Sequence, residues 1–318
     1  FCRDSVAGGD LPVATPGRPS WQTRYRDVLT RASQVVMVSA EKMRSDGISY
    51  DYANRIMHGL GLMKARQLGT APVALAVWDG RPGDGHGGTA STVAEWREGG
   101  LPVHRVDLAP EVIEAAASSS LLPVVPVDGV PIVPPPPGAD ETAIMAMLFA
   151  DAVGFSTLAE PQVPLFVRHC LGPIGDLITT RHRDSVVLRN TWGDGLYLVF
   201  DSVDGAGRFA LDLSELMATT DWAALGLPAG LALRIALHAG PVFRCTDPVT
   251  GQAACTGTHV SRAARLEPRT PPGAVYASEA FAALAAVEGV GAFTCDYVRQ
   301  LSWAKHYGTF PTYVVRRT

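Results

Sequence analysis

Two aspartates stand out for the chemistry they could do together. Asp151 follows an apolar run, Ala143-Ile144-Met145-Ala146-Met147-Leu148-Phe149-Ala150, and precedes Ala152-Val153-Gly154-Phe155-Ser156. A carboxylate at the end of a buried strand, with Gly and a hydroxyl residue opening a helix, can hold a divalent cation while nearby backbone N–H groups cradle phosphates. Taken alone, the same residues serve equally well as a helix cap after a core strand. Asp194 comes 43 residues later, in Gly193-Asp194-Gly195 between the β-rich runs Ser185–Trp192 and Leu196–Phe200. Asp-Gly between such runs makes a hairpin turn on its own account. The pair says more than either part: two carboxylates at the ends of adjacent strands can anchor two hard cations about 4 Å apart.

The rest of the chain must position that pair. Its 318 residues suggest about two domains on a prior of roughly 150 residues each. With 47% hydrophobic and 18% charged residues there is enough apolar material for real cores. The formal charge of −4 gives no basic stripe for a phosphate backbone, so nucleic acid is not an expected partner. The longest apolar runs fall far short of the ~20 residues that cross a bilayer. The sequence opens on Phe1 and so reads as trimmed; Cys2, Cys170, Cys245, Cys255 and Cys295 are odd in number, scattered and without C-x-x-C spacing. Neither a disulfide framework nor a zinc site is expected, and a reducing cytoplasmic compartment is.

Composition divides the chain into a leader (1–20), a small α/β domain (21–120), a Pro-rich linker (121–139) and a second domain (140–318). In the small domain, Gln34–Val38, Ala71–Trp78 and Val103–Leu108 read as strands, and Tyr52–Arg66 and Ala90–Glu98 as helices. That alternation predicts a mostly parallel layer. The Gly-rich stretch Asp79–Gly88 stands where an α/β domain places a phosphate loop, yet it matches neither phosphate-binding pattern and reads as a surface loop. Four consecutive prolines, Pro134–Pro137, mark the linker as semi-rigid.

Four blocks of the second domain resemble one family. Phe149–Ser156, Trp192-Gly193-Asp194-Gly195, Leu233–Val242 and Gly257–Glu267 followed by Pro272–Ser278 are similar, in order, to the catalytic domain of class III nucleotidyl cyclases. The third block is read as a strand running into a His-x-Gly-x-Val turn. The resemblance implies an α+β fold with a ferredoxin-like sheet, a nucleoside triphosphate substrate, two Mg²⁺ or Mn²⁺ ions per site, and a homodimer with shared active sites. It implies Asp151 and Asp194 as metal ligands with the Ala152 carbonyl. Gly154, Phe155 and Ser156 would wrap the β- and γ-phosphates, and Lys305 would hold the triphosphate. Arg265 would stabilise charge on the α-phosphate, where a guanidinium is well suited.

This chain also departs from the pattern. Asn190 stands at the base-selecting lysine, Ala254 at the second base-reading position and Ser261 at the transition-state asparagine. Losing a hydrogen-bonding partner costs discrimination. Pyrimidine cyclases of bacterial anti-phage signalling also abandon the purine-reading residues, so cCMP or cUMP synthesis is the expectation. Adenylate cyclase activity and a non-catalytic nucleotide-binding module are the alternatives. A diguanylate cyclase is not, because Trp192-Gly193-Asp194-Gly195-Leu196 lacks the required turn. The small domain would be a sensor or docking module.

Overall fold

The computed structural model describes residues 20–39, 47–78, 80, 87–106 and 141–318. The linker 121–139, nearly all of the leader and most of the Gly-rich stretch lie outside them. The chain divides into two compact units, Phe1–Tyr50 with Val73–Pro135, and Asp51–Pro72 with Pro136–Thr318.

The first unit holds helix α1, Trp21–Arg31, which Ser20 caps by accepting from the Thr23 N–H. Helix α2, Ile48–Gln67, begins here and runs on into the second unit. Strand β1 (Ala74–Val77), helix α3 (Thr89–Glu98) and strand β2 (Val103–Val106) follow, with β1 and β2 paired in parallel. Two of the expected strands are therefore present. Gln34–Val38 is not the third: it forms no strand, and Val35, Val36 and Met37 are exposed. β-branched residues favour a strand only where a pleated surface receives them, and this run lies in neither sheet.

The second unit is built on one mixed sheet. Strand β3 (Glu141–Ala152) leads through helix α4 (Gln162–Phe166), a π-turn and helix α5 (Gly172–Arg181) to the hairpin of β4 (Val186–Trp192) and β5 (Gly195–Phe200). Helix α6 (Val203–Thr219) then crosses to β6 (Leu233–Thr246). The order β4-β5-β3-β6, antiparallel throughout, is that of a ferredoxin-like β-α-β-β-α-β unit, as expected. The chain continues through β7 (Ala253–Thr256), α7 (Thr258–Leu266), β8 (Val275–Ser278), α8 (Glu279–Val287), β9 (Phe293–Ser302) and β10 (Thr309–Arg317). These add β8, β10 and β9 beyond β6, while β7 folds back on the end of β6.

The period of two sorts the sheet residues between two cores. Leu196, Leu198 and Phe200 of β5 face the helices, with Ile174 and Ile178 of α5 beside the first two and Phe209 of α6 against Phe200. Tyr197 and Val199 face the other way and join Met145, Met147, Val242 and Ala263 in a second cluster under α7.

β6 is one continuous strand through His238, Gly240 and Pro241, which corrects the expected turn. Gly240 lies under the His259 ring, leaving no room there for a Cβ. His238 Nδ1 stands 2.7 Å from Ser278 Oγ, and its Nε2 stands 2.9 Å from His259 Nδ1. Both imidazoles are buried and held neutral: burial, then the positive charge of Arg262, brings His259 down to about 3.

Helix α2 belongs with this sheet rather than with the first unit, where the sequence reading places it. Tyr52, fully buried, donates its hydroxyl to the Ala239 carbonyl at 3.0 Å and sets its ring edge-on to His259. About two turns later Gly59 meets the Ala283 backbone of α8 so closely that no side chain would fit. β8 pairs with β6 only as far as Leu237, and Ala239 lies just beyond that last rung.

Candidate active site

Asp151 is the penultimate residue of β3, and Asp194 sits in the two-residue turn between β4 and β5. Gly193 adopts φ +66° to make that turn. The β3–β5 register ends with Ala150 opposite Leu196, so the next residue of β3 reaches the turn. A Cβ added at Gly195 would lie 4.0 Å from Asp151 Oδ1, in ordinary contact. The two carboxylates sense one another. Burial, and then the charge of and hydrogen bonding with Asp151, raise the Asp194 carboxyl above its usual range.

The backbone behind Asp151 turns sharply. The Val153 N–H donates to the Ala232 carbonyl at 2.9 Å, Gly154 takes φ +82°, and Phe155–Thr157 forms one 3-10 turn closed by Thr157 Oγ1 on the Gly154 carbonyl at 2.7 Å. The Phe155 ring packs against Phe166 of α4 and lies beneath Gly193. Gly154 and Ser156 are left exposed beside the aspartates. The structure thus brings Asp151, Ala152, Gly154, Phe155, Ser156 and Asp194 together.

Asn190 lies opposite Tyr197 in the β4–β5 register and so shares its face. Tyr197 is sandwiched between Phe149 at 4.6 Å and Trp192 at 6.1 Å, and its hydroxyl donates to the Cys255 carbonyl at 3.1 Å. That bond ties the hairpin carrying Asn190 to β7, which carries Ala254.

Arg265, Ser261 and Lys305 form a third group. Arg265 lies on the last turn of α7, donates to the Ser261 carbonyl at 3.0 Å and stacks its guanidinium over the Tyr307 ring at 4.3 Å. Its Nε is buried with no partner among the described residues. Tyr307 directly follows the short turn Ala304–His306, where Lys305 is exposed and left-handed at φ 59°. Among the described residues Arg265 bonds neither aspartate.

Sequence reasoning misses the residues that join the groups. Arg234 is the cross-strand partner of Asp151; its Nη2 donates to Asp151 Oδ2 at 3.0 Å and its Nε to Glu267 Oε1 at 2.9 Å. Arg234 follows a Leu at the start of an apolar strand, and only the register reveals which acid it faces.

The donor set fits a hard divalent cation. The Asp194 carboxyl, raised by burial and by its Asp151 neighbour, would be relieved by one. Among the described residues no three His, Cys, Asp or Glu side chains converge on one point.

Comparison with known proteins places the geometry beside solved structures only. No family model matches the sequence, and no curated protein does. The structure is similar to the guanylate cyclase domain of RhGC from Catenaria anguillulae, solved with GTP, at 20% identity over 56% of this chain and 98% of that one, TM-score 0.48. It is similar to the adenylyl cyclase CyaB from P. aeruginosa at 16% identity over 56% and 96%, TM-score 0.47. Adenylate cyclases from Trypanosoma brucei, in their monomeric state, match at 19% over 57% and 92%, TM-score 0.45. No helix among the described residues is long and apolar enough to cross a membrane.

Proposed function

We propose that the chain is a cytoplasmic nucleotidyl cyclase that converts a nucleoside triphosphate into a 3′,5′-cyclic nucleotide and pyrophosphate. The observation that carries this reading is the meeting of Asp151 and Asp194 beside the left-handed turn at Gly154. The two aspartates, with the Ala152 carbonyl, hold Mg²⁺ or Mn²⁺. Such cations, when bound, lower the pKa of the ribose 3′-hydroxyl and neutralise the departing pyrophosphate. The backbone of Gly154, Phe155 and Ser156 receives the β- and γ-phosphates. Arg265 stabilises the charge that grows on the α-phosphate. Ser261 orients the ribose end, and Lys305 meets the triphosphate.

The active form in this reading is a head-to-tail homodimer. In one chain Arg265 is held by Tyr307 and Ser261 rather than by the aspartates. A second copy supplies the missing half of each site.

The base is a pyrimidine in this reading. Asn190 offers one acceptor and one donor, which suit the O2, N3 and 4-position edge of cytosine or uracil. The stacked Trp192 and Tyr197 rings of the same hairpin are the bulk that this reading sets beside it. Anti-phage signalling through cCMP or cUMP is the role this chemistry fits. Incubating the full chain with ATP, GTP, CTP and UTP plus Mn²⁺, and identifying products by mass spectrometry, tests both levels. A tenfold kcat/KM preference for a purine, about 1.4 kcal/mol, overturns the pyrimidine assignment and leaves the cyclase. No cyclic product from any triphosphate overturns the cyclase and leaves a nucleotide-binding module.

A further inference from the structure

Arg234 spends one edge of its guanidinium on two different carboxylates. Nη2 donates to Asp151 at 3.0 Å and Nε to Glu267 at 2.9 Å. The three side chains are 30%, 35% and 13% exposed for Arg234, Asp151 and Glu267, so water screens the bridge only in part. Asp194 senses the same guanidinium. Two carboxylates therefore hold one guanidinium, and Asp194 stands beside the first of them.

We infer that Arg234 is a positioning residue of the cation site: it occupies Asp151 in place of a divalent ion, and Glu267 sets how firmly it does so. The inference rests on the cation site proposed above and adds residues to it. The geometry gives the reasons. An arginine fork holds a carboxylate in one orientation as a lysine point charge does not. A cation that takes Asp151 must share that carboxylate with Arg234, whose other donor keeps it leaning on Glu267. Removing Arg234 removes a competitor. Removing the charge of Glu267 leaves Arg234 wholly to Asp151 and strengthens the competition.

The test is Mn²⁺ binding to the full chain without nucleotide, read from the free Mn²⁺ signal by electron paramagnetic resonance. Arg234→Gln is expected to bind Mn²⁺ about fivefold more tightly, the order of one screened charge pair. Glu267→Gln is expected to bind about threefold more weakly. The double variant is expected to match Arg234→Gln, because Glu267 acts through Arg234. Additive effects in the double variant overturn the inference and leave two independent field effects. Thermal melting checks the fold of each variant. Should Arg234→Gln not fold, Glu267→Gln carries the test alone, and unchanged or tighter binding there overturns it. A wild-type chain that binds no Mn²⁺ removes the cation site itself, which separates failure of the proposed function from failure of the bridge.

Discussion

The Tyr52 hydroxyl donates to the Ala239 carbonyl at 3.0 Å across 187 residues of sequence. The bond makes α2 part of the sheet that carries the two aspartates. It also gives a partner to a β6 carbonyl that lies just past the last rung shared with β8. Behind it the His238–His259 pair runs on to Ser278, the residue that caps α8.

Seating of α2 is tested at two points. Gly59→Leu drives a side chain into the Ala283 backbone and should cost about 1–3 kcal/mol by urea unfolding, as overpacking does. Tyr52→Phe keeps the ring but leaves a buried carbonyl unpaired, at about 1–3 kcal/mol. Two variants that unfold like the parent would show that α2 is not packed there.

Asp151→Asn and Asp194→Asn should each abolish turnover while melting within a few degrees of the parent. Each removes one anionic anchor and few packing contacts. The ion pair lost with Asp151 is partly exposed and so contributes modestly. Full activity in either variant, with metal dependence unchanged, refutes the assignment of that aspartate.

Mixing inactive Asp151→Asn with inactive Arg265→Ala should restore part of the activity, since one composite site of each mixed dimer is intact. Native mass spectrometry establishes that subunits exchange. A mixture as inactive as its parents, with exchange shown, rejects the shared site.

The buried histidines make stability depend on pH with a definite sign. His259 is held to about 3 in the folded chain, against an ordinary value near 6.5. Below 6.5 the unfolded chain therefore takes up a proton that the folded chain refuses until about pH 3. The contribution is fully present above the unfolded value and is lost as pH falls, at about 1.4 kcal/mol per unit. Urea unfolding at pH 7 and pH 5 should show a loss of about 2 kcal/mol from this residue that His259→Asn does not share. An equal pH slope in that variant would contradict the burial argument.

Much of the second unit is legible in its sequence because its signals are local. Asp151 ends an apolar strand, Asp194 lies in an Asp-Gly turn, and Gly154 is the residue that can take a left-handed turn between them. What escapes reading depends on register or on distant partners. Nothing near Arg234 announces Asp151 or Glu267. The α2 pattern predicts a helix but not the surface it covers. Gln34–Val38 fails for the matching reason: strand character is in the residues, but pairing is not. The His238–Gly240 stretch is expected as a turn only through the resemblance, whereas its glycine serves close packing under His259 within a continuous strand.

The docking of α2 also sets an order of events at the ribosome. Its acceptor, Ala239, is synthesised 187 residues after Tyr52, and the α8 backbone that receives Gly59 comes later still. At about 5–20 residues per second the helix waits ten seconds or more with its apolar face uncovered. The Val73–Pro135 part of the first unit is made during that wait. Contacts of such long sequence separation close late, so the nascent chain passes through a stage in which the ferredoxin-like sheet has begun to form while α2 is still undocked. A chain begun at residue 140 would skip the wait, but its β6 would lack the Tyr52 donor and the cover over His259.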